Sequence, residues 1–323
     1  MAAVHYREAS LDDATLASDV MTASYPALAQ DPVMTRMRWK LPRRGFRHGR
    51  FIAERDGRPI AFLAWVHGPW EEVGDLHCDV EVWLERAAVD SRLLATMFGW
   101  IGDLAVADGA RLLIAYCGED EPAMLEALAA LGYRRERVER VWELDLVERG
   151  ASITERARRA REQMARASLR WTTFADWDDP DGVKKLYELN QATVKDVPHS
   201  VAIVPEAFAD FEIRVSAPDR PHDRFWIALA KDRPVAMSYL KYPPVRGTVW
   251  TGYTCTHPEF RGRGLATAIK LQSLAQAVEL GVPAVRTSND FENAPMLHIN
   301  EGLGYVSRPG FVEHHKRVTS FHA

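Results

Sequence analysis

Cysteine is scarce in this chain of 323 residues: Cys78, Cys117 and Cys255 are widely spaced and form no CxxC pair. That excludes a disulfide framework and a zinc ribbon, and it suits a reducing compartment. No apolar run approaches the roughly 20 residues a membrane-spanning helix needs. The N-terminal MAAVHYREAS lacks the apolar core of a secretory signal, so a cytoplasmic location and no membrane partner are expected. An excess of positive charge is also missing, since 41 Lys and Arg face 45 Asp and Glu for a net charge of −4. A chain without a basic excess is not built to neutralise a phosphate backbone, so nucleic acid is not expected as its main partner. With 20 Gly and 18 Pro, collagen-like and low-complexity classes are excluded, and 47% hydrophobic with 27% charged residues is the balance of a globular protein. At about 100–200 residues per domain, this length suits two domains.

Two domains are also what the internal pattern suggests. PAMLEALAALGY ends at Tyr133 and APMLHINEGLGY at Tyr305, so that Met124 and Met296, Gly132 and Gly304, and also Gly109 and Gly281 each lie 172 residues apart. A looser match joins RFIAERDGRPIAFLAW to FWIALAKDRPVAMSY. An ungapped match over this much chain predicts one supersecondary plan used twice: strand, long helix, strand, second helix, then an LGY turn into a last strand. Between the copies, ASITERARRAREQMARA has helical charge density with few large apolar residues. It reads as a solvated linker helix over 149–167, dividing a domain at 1–148 from one at 168–323.

The stretch HPEFRGRGLATA, His257 to Ala268, separates a β-branched and aromatic run, VWTGYTCT, from a helical run, LATAIKLQSLAQAVEL. It is a strand-to-helix turn. The first N–H groups of a helix have no partner within it and carry partial positive charge, which makes a site for phosphate. Gly262 and Gly264 let the backbone approach an anion, Arg261 and Arg263 add full charges, and Ala266 keeps the helix start slim. The turn has neither the Lys-Ser/Thr ending of a P-loop nor the third glycine of a dinucleotide fingerprint.

HPEFRGRGLA resembles the R/Q-x-x-G-x-G/A turn of the GNAT superfamily of N-acetyltransferases, with Arg261, Gly264 and Ala266 at the defining places. NDFENAPMLHINEGLGY looks like that family's second signature, an asparagine opening the helix before a final G-Y. Through the internal repeat the resemblance extends to the tandem members of the family. It implies an α/β fold of two GNAT-like domains, each a mixed, mostly antiparallel sheet flanked by helices, and acetyl-CoA as cofactor. It further implies that Arg261, Gly262, Arg263, Gly264, Leu265, Ala266 and Thr267 cradle the pyrophosphate. The backbone of Thr254, Cys255 and Thr256 would pair with the pantetheine arm, and Asn289, Asn293 and Met296 would line it. The offset of 172 puts Val89, Arg92 and Leu94 opposite Arg261, Gly264 and Ala266, and Glu121 opposite Asn293. VDSRLL cannot do what RGRGLA does, so the first half reads as a degenerate copy, retained for packing or for walling a substrate cleft.

Acetyl transfer to an amine of pKa near ~10 needs a proton acceptor, a donor that polarises the thioester carbonyl, and a proton for the thiolate. A backbone N–H on the strand before the turn, at Thr254, is the candidate donor. Asp196, in TVKDVPHS, is the candidate base, by likeness to an Asp-x-Pro element in similar sequences, with a turn role as its alternative. Tyr253 is either catalytic or core. The family's acid, a tyrosine seven residues after the helix-opening asparagine, is replaced here by Asn300, and an amide gives a thiolate a hydrogen bond but no proton. No metal is expected. The expected activity is direct acetyl transfer from acetyl-CoA to the primary amine of a small molecule, by a monomer or homodimer. The alternatives are a non-catalytic acyl-CoA sensor or scaffold and a tRNA-dependent aminoacyl transferase.

Overall fold

The computed structural model describes residues 3–166 and 168–318; the last residue of the expected linker helix, Ala167, and the chain ends fall outside them. The first half runs β1 (Val4–Glu8), α1 (Ala14–Ser24), α2 (Pro32–Lys40), β2 (Arg47–Arg55), β3 (Arg58–His67), β4 (His77–Leu84), α3 (Ser91–Ala107), β5 (Leu112–Gly118), α4 (Pro122–Ala130) and β6 (Arg134–Asp145). Helix α5 (Leu146–Arg166) follows. The second half runs β7 (Leu169–Thr173), α6 (Gly182–Val194), α7 (Phe208–Val215), β8 (Phe225–Ala230), β9 (Arg233–Lys241), β10 (Val249–Thr256), α8 (Leu265–Glu279), β11 (Ala284–Asp290), α9 (Ala294–Leu303) and β12 (Val306–Arg317). From β4/β10 onward the two halves repeat at the predicted spacing: β5 and β11 start 172 residues apart, as do α4 and α9, and β6 and β12.

Among the described residues all strands join one 12-stranded sheet in the order β1-β2-β3-β4-β5-β12-β6-β11-β10-β9-β8-β7. Only β4/β5 and β10/β11 are parallel pairs; the others are antiparallel. The final strand of each half has crossed over. β6 pairs with β11, β12 pairs with β5, and the two crossed strands pair with each other at the centre. A division at 148/168 therefore follows the chain but not the sheet, because each half closes its sheet with its sibling's last strand.

Helix α5 does not stand in solvent as its charge density suggests. Leu146, Gly150, Ile153, Ala157 and Met164 form a buried stripe, spaced so that small and apolar residues recur on one helical face. The stripe packs on α8, where Gln272 donates to the Ala157 carbonyl at 3.0 Å and accepts from Arg161 at 2.7 Å. Covered by α5 on one side and the sheet on the other, α8 is buried almost all round, which accounts for its long run without charge: Lys270 is its sole charged residue before Glu279. No helix among the described residues is long and apolar enough to cross a membrane.

Candidate active site

Strands β10 and β11 pair only at their starts, Val249 with Val285 and Trp250 with Arg286, and then part. Gly252 is where β10 bends. The ladder with β9 shifts register between Thr251 and Tyr253. A Cβ on Gly252 would lie 2.0 Å from Cε2 of Tyr239, so the backbone rests against that ring as only glycine allows. Beyond the bend, the N–H of His257 donates to the Val235 carbonyl at 2.8 Å. Bonded and non-bonded pairs alternate in an antiparallel ladder. Cys255 and Tyr253 therefore turn their main-chain groups to β9, whereas Thr254 and Thr256 turn theirs toward the gap that β11 has left. The result is an open strand edge inside a groove of about 590 Å³, walled by β10, β11 and the first turns of α8 and α9.

The turn closes one end of this groove. Gly262 and Gly264 take φ of +72° and +76°, a region other residues enter only at a cost. Gly264 is the N-cap of α8 and no side chain caps the helix. The ladder starts with Ala268 donating to the Gly264 carbonyl at 3.0 Å, so the N–H groups of Leu265, Ala266 and Thr267 precede it without intrahelical partners. Nothing lies within 4 Å of where a Gly264 Cβ would stand; the space in front of these donors is open. Arg261 spans the turn, its Nε donating to the Thr256 carbonyl at 3.2 Å and its Nη2 to Asp196 Oδ2 at 2.5 Å.

Of the residues expected to hold a cofactor, all but Arg263 line the groove. Arg263 turns back, donating to the Glu259 carbonyl at 3.2 Å with its guanidinium 5.2 Å from the Phe260 ring centroid. Asn293 caps α9 by accepting from Met296 N–H at 3.4 Å. Cys255 contributes main chain while its thiol is buried in the core, with burial pushing its pKa up to about 12.

Of the expected catalytic residues, Tyr253 and Thr254 face opposite sides of the sheet. The Tyr253 hydroxyl lies 3.1 Å from Thr193 Oγ1, and burial raises its pKa well above the ordinary tyrosine range, keeping it protonated. Thr254 Oγ1 lies 2.9 Å from Ser238 Oγ, which reaches Ser273 at 3.2 Å. Asp196 reaches the groove, but its carboxylate is engaged by Arg261 at the turn end, so it does not stand there as an unpaired base. Asn300 lies behind the groove, fully buried. There it accepts from Lys270 Nζ at 2.7 Å and donates to Asn289 Oδ1 at 2.7 Å. Lys270 is also fully buried, 4.7 Å from the Tyr305 ring centroid, and desolvation lowers its pKa to about 7. Lys270 donates to Asn300 and Asn300 donates to Asn289, so the chain is polarised: Lys270 fixes Asn300, Asn300 fixes Asn289, and the Asn289 Nδ2 donor is left for the groove. Sequence reasoning missed Lys270. Its signal was the otherwise uncharged helix around it, which marks burial on every side.

The first half builds the corresponding turn differently. Helices α3 and α8 end 172 residues apart, at Ala107 and Glu279, but α3 starts two residues earlier relative to its copy, at Ser91 against Leu265. Asp90, not Arg92, takes the place of Gly264, which corrects the ungapped register. The Asp90 carboxylate accepts from Leu93 N–H at 2.9 Å, so an internal anion occupies the donors that are open in α8. Glu121 likewise accepts from Gly118 N–H at 2.8 Å. Where β4 and β5 part, residues 199–204 of the second half cover the gap, leaving about 220 Å³.

A sheet opened between two parallel strands at two places along one chain, the second opening carrying a glycine-capped helix, is the tandem GNAT fold. The chain superposes on a tandem GNAT protein from the clavulanic acid biosynthesis pathway with a TM-score of 0.73 at 16% identity, over 98% of this chain and 99% of that one. It superposes on a GCN5-related N-acetyltransferase from Sphaerobacter thermophilus with a TM-score of 0.67 at 16% identity, over 98% and 96% of the two chains. Residues 184–305, which hold the open groove, match the acetyltransferase (GNAT) family. No curated protein sequence matches the chain significantly.

Proposed function

We propose that the chain is an acetyl-CoA-dependent N-acetyltransferase for the primary amine of a small molecule, with its single cofactor site in the second half. One observation carries this reading: an uncapped helix start at Gly264 continues into the open strand edge of Thr254 and Thr256. Helix donors suit a pyrophosphate, and a strand edge suits the amides of a pantetheine arm. The residues present fit the cofactor. Leu265, Ala266 and Thr267 would hold the pyrophosphate through main-chain N–H groups, with Arg261 beside them, and Asn289, Asn293 and Met296 would line the arm. Bound there, acetyl-CoA supplies an activated acyl group.

In this reading the Thr254 N–H polarises the thioester carbonyl. The neutral amine attacks the carbonyl carbon, the C–N bond forms as the C–S bond breaks, and the thiolate leaves beside Asn289 and Tyr253. Asn289 offers a hydrogen bond. Tyr253, kept protonated by its burial, offers its hydroxyl as a second hydrogen bond, and the proton released by the amine reaches the thiolate through water. The first half takes no cofactor, since Asp90 puts a carboxylate where Gly264 leaves open space and Glu121 puts one where Asn293 offers an amide. Three buried thiols suit a reducing cytoplasm.

The test is thiol release from acetyl-CoA against a panel of amines. Amine-dependent release well above hydrolysis is expected, with Tyr253→Phe lowering kcat more than it changes KM. Tight acetyl-CoA binding without turnover of any amine would make the chain a sensor instead.

A further inference from the structure

A second cleft adjoins the groove near the point where β10 and β11 meet. Ser288 lines both the groove and a cleft of about 620 Å³, and this cleft also reaches Trp250, the last β10 residue paired with β11. The cleft lies between α2 of the first half and α7 of the second, so neither half builds it alone. Its ionic lining is six Arg or Lys against four Asp or Glu.

Several of these charges are already satisfied. Glu206 is held by Arg214 at 2.6 Å, Arg246 pairs with Asp19 at 2.6 Å, and Asp31 accepts from the main-chain N–H of Val245 at 2.7 Å and of Arg246 at 3.0 Å. Arg43 donates to the Val204 carbonyl at 2.5 Å. Arg38 and Lys241 have no carboxylate partner among the described residues. Arg38 reaches only neutral oxygens at long range, Gln30 Oε1 at 3.3 Å and Thr35 Oγ1 at 3.4 Å, and remains open to the cleft. Desolvation and the Arg220 charge push both groups below their ordinary pKa against the pull of Asp219, which has Arg220 itself beside it at 3.7 Å. Like charges gathered in a concave site that holds more cations than carboxylates repel one another. An anion placed among them removes that repulsion and fills open donor sites, and the planar guanidinium fork suits an oxyanion.

We infer that the acceptor is a primary amine that also carries an anionic oxyacid group, a carboxylate or a phosphate. Arg38 of the first half and Lys241 of the second hold that group, and the amine passes the opening at Ser288 toward the thioester. This rests on the acyl-transfer reading of the groove, and it gives the first half a task in substrate binding.

The experiment uses matched probes: an α-amino acid against its carboxamide, and an amino sugar against its phosphate ester. Each is assayed for thiol release with acetyl-CoA and, independently, for binding to the full chain by calorimetry with CoA present. At least one anionic member should be preferred over its uncharged partner by tenfold or more in kcat/KM. The carboxylate and phosphate arms show which oxyacid it is. Arg38→Gln and Lys241→Met should each reduce that preference at least fivefold through KM, with the acetyl-CoA Kd unmoved as evidence of folding. Uncharged amines turned over as well as anionic ones would overturn the inference and leave acyl transfer standing, as would a preference that survives in both variants. Anionic probes that bind, lose affinity in both variants and are never acetylated would uphold the anion site and overturn acyl transfer. Anionic probes that neither bind nor react would overturn the inference.

Discussion

Asp196 and Arg261, 65 residues apart in the chain, meet at 2.5 Å across the mouth of the groove, each with nearly half of its side chain exposed, 43% and 45%. A pair so exposed contributes at most about 1 kcal/mol, so it holds Arg261 in place without committing it. Asp196→Asn should therefore tighten acetyl-CoA binding by no more than about fivefold and lower kcat less than tenfold. A general base would behave otherwise, its loss typically costing about 10²–10⁴-fold. Steady-state kinetics over pH distinguishes the two: a hundredfold fall in kcat with a lost limb of the pH profile would return Asp196 to the base role.

Buried Lys270 makes stability depend on pH in a defined direction. Its pKa falls from the ordinary 10.5 to about 7 on folding, because burial penalises the ammonium. Between those values the unfolded chain binds a proton that the folded chain does not, so stability rises with pH, by up to about 1.4 kcal/mol per unit. Below about 7 both states are charged and this contribution is flat. Lys270→Met should make the slope of the urea-unfolding free energy against pH less positive than in the wild type, by up to about 1.4 kcal/mol per unit, in the middle of that window. An unchanged slope in the variant would show that the ammonium is solvated.

Gly252 is a packing requirement as well as a bend. A Cβ at 2.0 Å from the Tyr239 ring cannot be accommodated without moving the ring, which is itself buried and stacked on Phe225 at 4.5 Å between centroids. Gly252→Ala should lower stability by about 1–3 kcal/mol and narrow the groove, seen together as a lower Tm and a weaker acetyl-CoA Kd. A variant with unchanged Tm would mean that Tyr239 yields freely.

Much of the site was legible in the sequence because its chemistry is local. A turn that needs positive φ at Gly262 and Gly264 is written in consecutive residues, and Asn293 caps a helix three residues from its partner. The repeat was legible from β4/β10 onward because those elements keep their spacing. What escaped was set by long-range packing. The exchange of β6 and β12 depends on which strand edge each meets, and both copies carry similar strands. The burial of α5 depends on α8 lying across it. Arg263 points away from the groove because Phe260 and the Glu259 carbonyl take it, and Lys270 is buried because two layers close over its helix. The two-residue slip that puts Asp90 at the first-half cap was hidden because VDSRLL has no marker to align.

Asp90 supplies a prediction of its own. If its carboxylate alone blocked the first-half turn, Asp90→Gly would open a second cofactor site. Residues 199–204 cover the gap between β4 and β5, and Glu121 still fills the position of Asn293. The variant should therefore bind no additional acetyl-CoA, and should lose about 0.5–2 kcal/mol of stability with its helix cap. A second binding event in its titration would show that the cap alone silences the first half.

The central claim is that one turn, at the start of α8, holds the cofactor's pyrophosphate. Calorimetric titration of acetyl-CoA into the wild-type chain and into Gly264→Arg tests it most directly. At φ +76° with open space before it, Gly264 tolerates no side chain without backbone strain or intrusion on the anion. Losing two or three charge-assisted hydrogen bonds, at about 1.5–3 kcal/mol each, weakens binding by well over tenfold. The account predicts one site per wild-type chain and no saturable binding in Gly264→Arg, with far-UV circular dichroism unchanged. Two equivalent sites in the wild type, or unaltered affinity in a folded variant, would contradict it.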